Sequence, residues 1–158
     1  MLNLKIATLE DLEDIVDLMV TFKVESPYST LSTDILKIRT SVLDYLNKDK
    51  KESIILLSYI EDLKDKGPIG IIVGSIQEFP FSLDKQAYEH IWYVLPKYRK
   101  NKVGLELYEA FEYWATRLGV KVIHSAYPTK DLEEFYISKG YKPLEHVYYK
   151  IMNNKDNT

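Results

Sequence analysis

The stretch PKYRKNKVGLELY, residues 96–108, sets Lys97, Arg99, Lys100, Asn101 and Lys102 immediately before Val103 and Gly104. Apolar residues at helical spacing follow: Val103, Leu107, Tyr108, Phe111, Trp114, Ala115 and Leu118, with Gly119 as a stop. A helix therefore starts inside a basic cluster. That end of a helix already carries unpaired amides and roughly half a positive charge. Exposed cations there cost about 0.3–1 kcal/mol each. An anion in the mouth would reverse the sign of that cost, and Gly104 would let a phosphate come close to the backbone. The other reading is a solvated turn, which needs no ligand.

The rest of the chain narrows the choice. Its 158 residues suit one domain, residues 1–152, with a frayed tail at 153–158. A hydrophobic content of 46% beside 28% charged residues is that of a globular protein. Without cysteine there is no disulfide, thiolate nucleophile or Cys-based metal site, and a reducing, cytoplasmic location is expected. His90, His124 and His146 lack ligand spacing, so no metal is expected. A formal net charge of −3 argues against a nucleic-acid partner. No apolar run is long enough to span a membrane, and MLNLKIATLEDLED does not read as a signal peptide.

Along the chain, periodicity predicts a strand at 2–7 and a helix carrying Leu12, Ile15, Val16, Met19 and Phe22 behind a Thr8–Asp11 capping box. A loop at 25–32 precedes a helix that Thr33 can cap. Strands follow at 53–61, 68–77 and 87–95, the first two as an antiparallel hairpin. After the 103–118 helix come a strand within 120–127, buried by its composition, and a helix over 130–140. One or two closing strands are expected in YKPLEHVYYKIM. The order βααβββαβαβ predicts an α+β fold with a central mixed sheet of six to seven strands and helices on both faces.

Two motifs sit in that frame. WYVLPKYRKNKVG resembles the acetyl-CoA-binding motif of the GNAT N-acetyltransferases: Val94, Pro96 and Arg99 match the strand end and first arginine, and Gly104 the last glycine. EFYISKGYK resembles the family's second segment, with Phe135, Tyr136, Gly140 and Tyr141 in register. Lys102 departs from the pattern where a glycine is usual, as do Thr129 for asparagine and Leu132 for alanine. Lys102 fits there only if its φ stays negative. The resemblance covers about residues 2–152. It implies acetyl-CoA as cosubstrate, held by backbone groups of Trp92, Tyr93 and Val94 along the pantetheine arm. The amides of Lys100, Asn101, Lys102, Val103, Gly104 and Leu105 would then receive the pyrophosphate.

Acetyl transfer to an amine requires a proton acceptor, an oxyanion donor and a proton for the departing thiolate. In a regular strand Tyr88, His90, Trp92 and Val94 share one side. His90, four residues before Val94, stands by resemblance where some family members carry a catalytic histidine acting through water, and it is the candidate base unless a bulge puts Glu89 in its place. By resemblance Tyr136 is the candidate donor to the thiolate, and a phenol is protonated at neutral pH. The N–H of Val94 is the candidate oxyanion donor. Trp92 and Trp114 read as packing residues, and His124 and His146 receive no role.

The expected acceptor is a primary amine, on a small molecule or a peptide. It would be met by loops 25–32 and 78–86 through Glu25, Glu78 and Asp84 with Tyr28, Phe79 and Phe81. A non-catalytic CoA-binding module acting in a complex is the alternative. Oligomeric state stays open, a homodimer included.

Overall fold

The computed structural model describes residues 2–61, 66–126, 130–145 and 147–152. They fall in two compact units, Met1–Ala126 and Tyr127–Thr158. The first unit carries β1 (Leu2–Ile6), α1 (Leu12–Glu25), α2 (Ile35–Asn47), β2 (Ser53–Ile60) and β3 (Gly70–Glu78). It continues with β4 (Lys85–Val94), α3 (Val103–Arg117) and β5 (Val122–His124). The second unit carries α4 (Lys130–Ser138). No helix among the described residues is long and apolar enough to cross a membrane.

The sheet runs β1-β2-β3-β4-β5; the first four strands pair antiparallel and β5 is parallel to β4. β2 and β3 are apolar on both sides because both sheet faces are covered. One face packs Ile55, Leu57, Ile71 and Val73 against Ile15 and Val16 of α1 and Val42 and Leu46 of α2. The other face meets α3, whose Val103, Leu107, Tyr108 and Phe111 are fully buried. Glycines make that approach close. A Cβ on Gly70 would lie 2.9 Å from Leu107, and one on Gly74 2.3 Å from Phe111.

The α1 stripe is as the periodicity predicts, and the capping box at Thr8 and Asp11 is formed. Asp11 is buried, accepting from Lys5 at 2.7 Å, from the Thr8 amide at 2.7 Å and from Tyr59 at 3.2 Å. The cap of α2 is Asp34 rather than Thr33: the helix starts one residue later, and the Asp34 carboxylate accepts the Lys37 amide at 3.0 Å.

Two expectations need correction. Among the described residues the sheet has five strands, because 141–145 and 147–152 form none. Leu144, Val147, Tyr148 and Tyr149 are exposed there; an apolar run gives strand propensity, but a strand also requires a partner edge. The strand expected to be buried within 120–127 shrinks to three residues, and its Val122 is exposed. Thr129, His146 and the tail 153–158 lie outside the described residues.

Candidate active site

At the mouth of α3, Pro96–Tyr98 forms a single 3-10 turn, and Lys100, Asn101 and Lys102 are exposed. The Asn101 amide bonds back to Tyr98. Among the described residues no backbone acceptor takes the amides of Lys100, Lys102, Val103, Gly104 or Leu105. Lys102 sits at φ −69°, so the backbone there does not call for the family's glycine. A Cβ on Gly104 would meet the Trp92 ring at 3.5 Å, an ordinary contact. Packing within the protein therefore does not demand glycine at 104.

The neighbouring edge is β4. Among the described residues it pairs with β5 over Gln86, Ala87 and Tyr88. Leu95 donates to Ile69 at 2.9 Å on the β3 side, and the register pairs Tyr93 with Ile71 and Val94 with Gly70. Antiparallel ladders alternate, so Tyr93 turns its backbone groups to β3, while Trp92 and Val94 turn theirs to the opposite edge of β4. Of the three residues expected to lend backbone groups, Tyr93 does not stand on that edge. The Val94 carbonyl accepts from Arg99 Nε at 2.8 Å, leaving its N–H as the edge donor. The Trp92 side chain lies under α3, donating to the Gly104 carbonyl at 3.1 Å.

Arg99 is committed to the protein itself. Its guanidinium meets Glu25 at 2.5 Å and lies over the Tyr93 ring, and the Tyr93 hydroxyl also donates to Glu25. The bond from Tyr93, followed by Arg99, holds the Glu25 carboxyl below its ordinary value. Desolvation and then Glu25 push the Tyr93 phenol up to about 12. Glu25 is thus part of a clamp between the end of α1 and the end of β4, not an open binder of the acceptor's ammonium.

A β-bulge decides where His90 points. Gly74 pairs with Glu89 and Val73 with Ile91, so His90 is the extra residue. Tyr88 and His90 consequently face α1 and α2, whereas Trp92 and Val94 face α3. The four do not share one side, and Glu89 does not replace His90: it turns toward α3, opposite Gly74. His90 Nε2 is 2.7 Å from Ser75 Oγ; its ring lies edge-on to Tyr45 and stacks on Tyr88, which in turn stacks on His124. The ring is exposed toward the pocket, yet partial desolvation by these neighbours, and second the charge of Lys48, lower its pKa below 6.5.

His90 and Ile91 line an open-mouthed pocket of about 580 Å³ between α1, α2 and the sheet. Its walls include Met19 and Val42, its rim Ser32, Thr33, Asp34 and Lys37. Of the acceptor-side residues expected from the sequence, Tyr28, Glu78, Phe79, Phe81 and Asp84 do not line it. Tyr45, Ser75 and Asp34 were missed; Asp34 alone left a signal, as a capping residue before an apolar run.

In the second unit Tyr136 is buried, its ring against Phe135 and Tyr141, and the Tyr141 amide returns to its carbonyl. Gly140 closes the helix at φ +87°, a conformation open to glycine. Among the described residues no group of three or more His, Cys, Asp or Glu side chains could hold a metal ion.

Residues 15–141 match the Acetyltransferase (GNAT) family model. No curated protein matches the chain. Solved structures of similar fold include a glucosamine-6-phosphate N-acetyltransferase from Arabidopsis thaliana, with TM-score 0.76, 12% identity, and 97% of this chain and 99% of that one covered. A possible acetyltransferase from Clostridium difficile 630 gives TM-score 0.75 at 12% identity, covering 97% and 98%. An aminoglycoside acetyltransferase from an uncultured soil metagenomic sample, in complex with sisomicin, gives 0.69 at 16%, covering 96% and 97%. With the family match spanning most of its length, the chain belongs to the GNAT acetyltransferases and is an acyltransferase.

Proposed function

We propose that this enzyme moves an acetyl group from acetyl-CoA to a primary amine by direct attack. The observation that carries the reading is the junction of two features on β4. Among the described residues β4 pairs with β5 as far as Tyr88, and the strand then runs to the mouth of α3, where the amides of Lys100 and of Lys102 to Leu105 meet no described backbone acceptor. On its other face it brings His90 into a pocket.

Residues that would hold the cosubstrate fit that task. The backbone of Trp92 and Val94 can pair with an amide-bearing arm as an added strand would. The amides of Lys100 and of Lys102 to Leu105, with the side chains of Lys100, Asn101 and Lys102, offer an anion both the helix dipole and fixed donors. When bound, acetyl-CoA supplies the activated acetyl thioester. His90, neutral at pH 7, takes a proton from the amine, directly or through water. The Val94 N–H is placed to stabilise negative charge developing on the carbonyl oxygen. Tyr136 returns a proton to the sulfur, a role supported by its place in the second motif.

The test is a titration with acetyl-CoA followed by thiol release against a panel of amines. Binding together with amine-dependent thiol release is expected. Affinity without thiol release from any amine would overturn acetyl transfer in favour of a non-catalytic module, and no binding would overturn the cosubstrate assignment as well.

A further inference from the structure

We infer that the acceptor is an apolar monoamine, a hydrocarbon or aromatic body bearing one amine and no second positive charge. The inference rests on the acetyl-transfer reading and deepens it. The pocket's surface is apolar where it is deepest: Met19, Ile38, Val42, Ile55, Val73 and Ile91 come from three sides, with His90 at the sheet. A body of this chemistry gains by leaving water, at about 25 cal/mol per Å² buried, whereas a polyhydroxylated one would lose hydrogen bonds that these walls cannot replace.

Charge points the same way. Among the described residues, Lys23 and Lys37 are the cations of the lining and Asp34 its one carboxylate. Asp34 already accepts the Lys37 amide as helix cap. Lys48 adds positive potential at His90, where it helps lower the imidazole pKa. Glu25, which could have offset these charges, is held by Tyr93 and Arg99. A second ammonium on the acceptor would meet a net positive rim, and like charges brought together cost affinity.

The step balances. The amine nitrogen bonds to the acetyl carbon as the carbon–sulfur bond breaks; one proton leaves nitrogen for His90, and the sulfur departs as a thiol after taking one proton.

The discriminating pair is hexylamine and hexamethylenediamine, which share a skeleton and differ in the second ammonium. With the full chain and saturating acetyl-CoA, hexylamine is expected to exceed the diamine, and sisomicin, by about tenfold or more in kcat/KM. Lys37→Glu, a substitution on the exposed rim, is expected to narrow the hexylamine-to-diamine ratio at least severalfold. Ser41→Trp, at the pocket mouth on α2, is expected to raise KM for hexylamine while leaving acetyl-CoA affinity intact. Equal or better turnover of the diamine or of sisomicin would overturn the inference, as would a ratio unmoved by Lys37→Glu. Should acetyl-CoA bind with no thiol release from any amine, the acetyl-transfer reading fails by itself. Thermal shift by the two amines then decides the pocket's preference: greater stabilisation by hexylamine upholds it, and no difference ends it.

Discussion

At the residue scale, one inserted position in β4 sets the candidate chemistry. The bulge separates His90 from Trp92 and Val94, so the imidazole faces the pocket while the side chains of Trp92 and Val94 stay on the α3 side of the sheet. The lowered pKa has a signed consequence. The neutral, proton-accepting form persists below pH 6.5 and is lost only as pH falls through the folded value. After correction for amine ionisation, the acidic limb of kcat/KM should centre below 6.5. His90→Ala should abolish the limb and cost about 10²- to 10⁴-fold in rate. Lys48→Ala should move the limb upward, because it removes a charge that opposes the imidazolium; an unmoved limb would argue against His90 as the base. Gly104 supports a separate prediction. Its Cβ direction is open to ordinary contact, so Gly104→Ala should fold with equal or slightly higher stability, by up to about 1 kcal/mol. If a diphosphate rests on that backbone, affinity for acetyl-CoA should fall by about tenfold in the same variant, as read by calorimetry.

At the scale of elements, two polar clusters tie α1 to the sheet, one at each end of the helix. At its start, burial works against the Asp11 carboxylate, but the bonds from Lys5 and Thr8 outweigh it, and its pKa lies below 3.8. Asp11→Ala would strand the buried Tyr59 hydroxyl and the Thr8 amide, at about 1–3 kcal/mol in urea denaturation at pH 7. Because the folded pKa is depressed, the carboxylate's contribution is whole above the unfolded value and fades as pH falls through the folded one. The stability gap between wild type and variant should therefore close in acid. At the other end of the helix, Glu25, Tyr93 and Arg99 join α1 to the loop before α3. The capping box was legible because Thr8 and Asp11 are three residues apart. The clamp was not, because 68 positions separate Glu25 from Tyr93 and local periodicity carries no information at that distance.

Across the whole molecule, the sheet's two covered faces explain why its central strands are apolar throughout, and Gly74 shows how tightly α3 is seated. Gly74→Ala would drive a methyl into the Phe111 ring, an overpacking expected to cost about 1–3 kcal/mol and visible as a lower urea midpoint. An unchanged midpoint would mean that α3 is less closely packed than described. The sequence by itself determined the order of elements as far as α4, the helix stripes and the basic helix mouth, since hydrophobic period and turn chemistry act between near neighbours. Tertiary structure alone decided the bulge at His90, the extent of the described β4–β5 pairing, the capture of Arg99 by Glu25 and the pocket beneath α2. β4 mixes Lys85, Gln86, Glu89 and His90 with apolar and aromatic residues in no strict alternation, so its sequence does not mark His90 as the inserted residue. Cross-strand register and packing between distant segments chose which face each side chain takes.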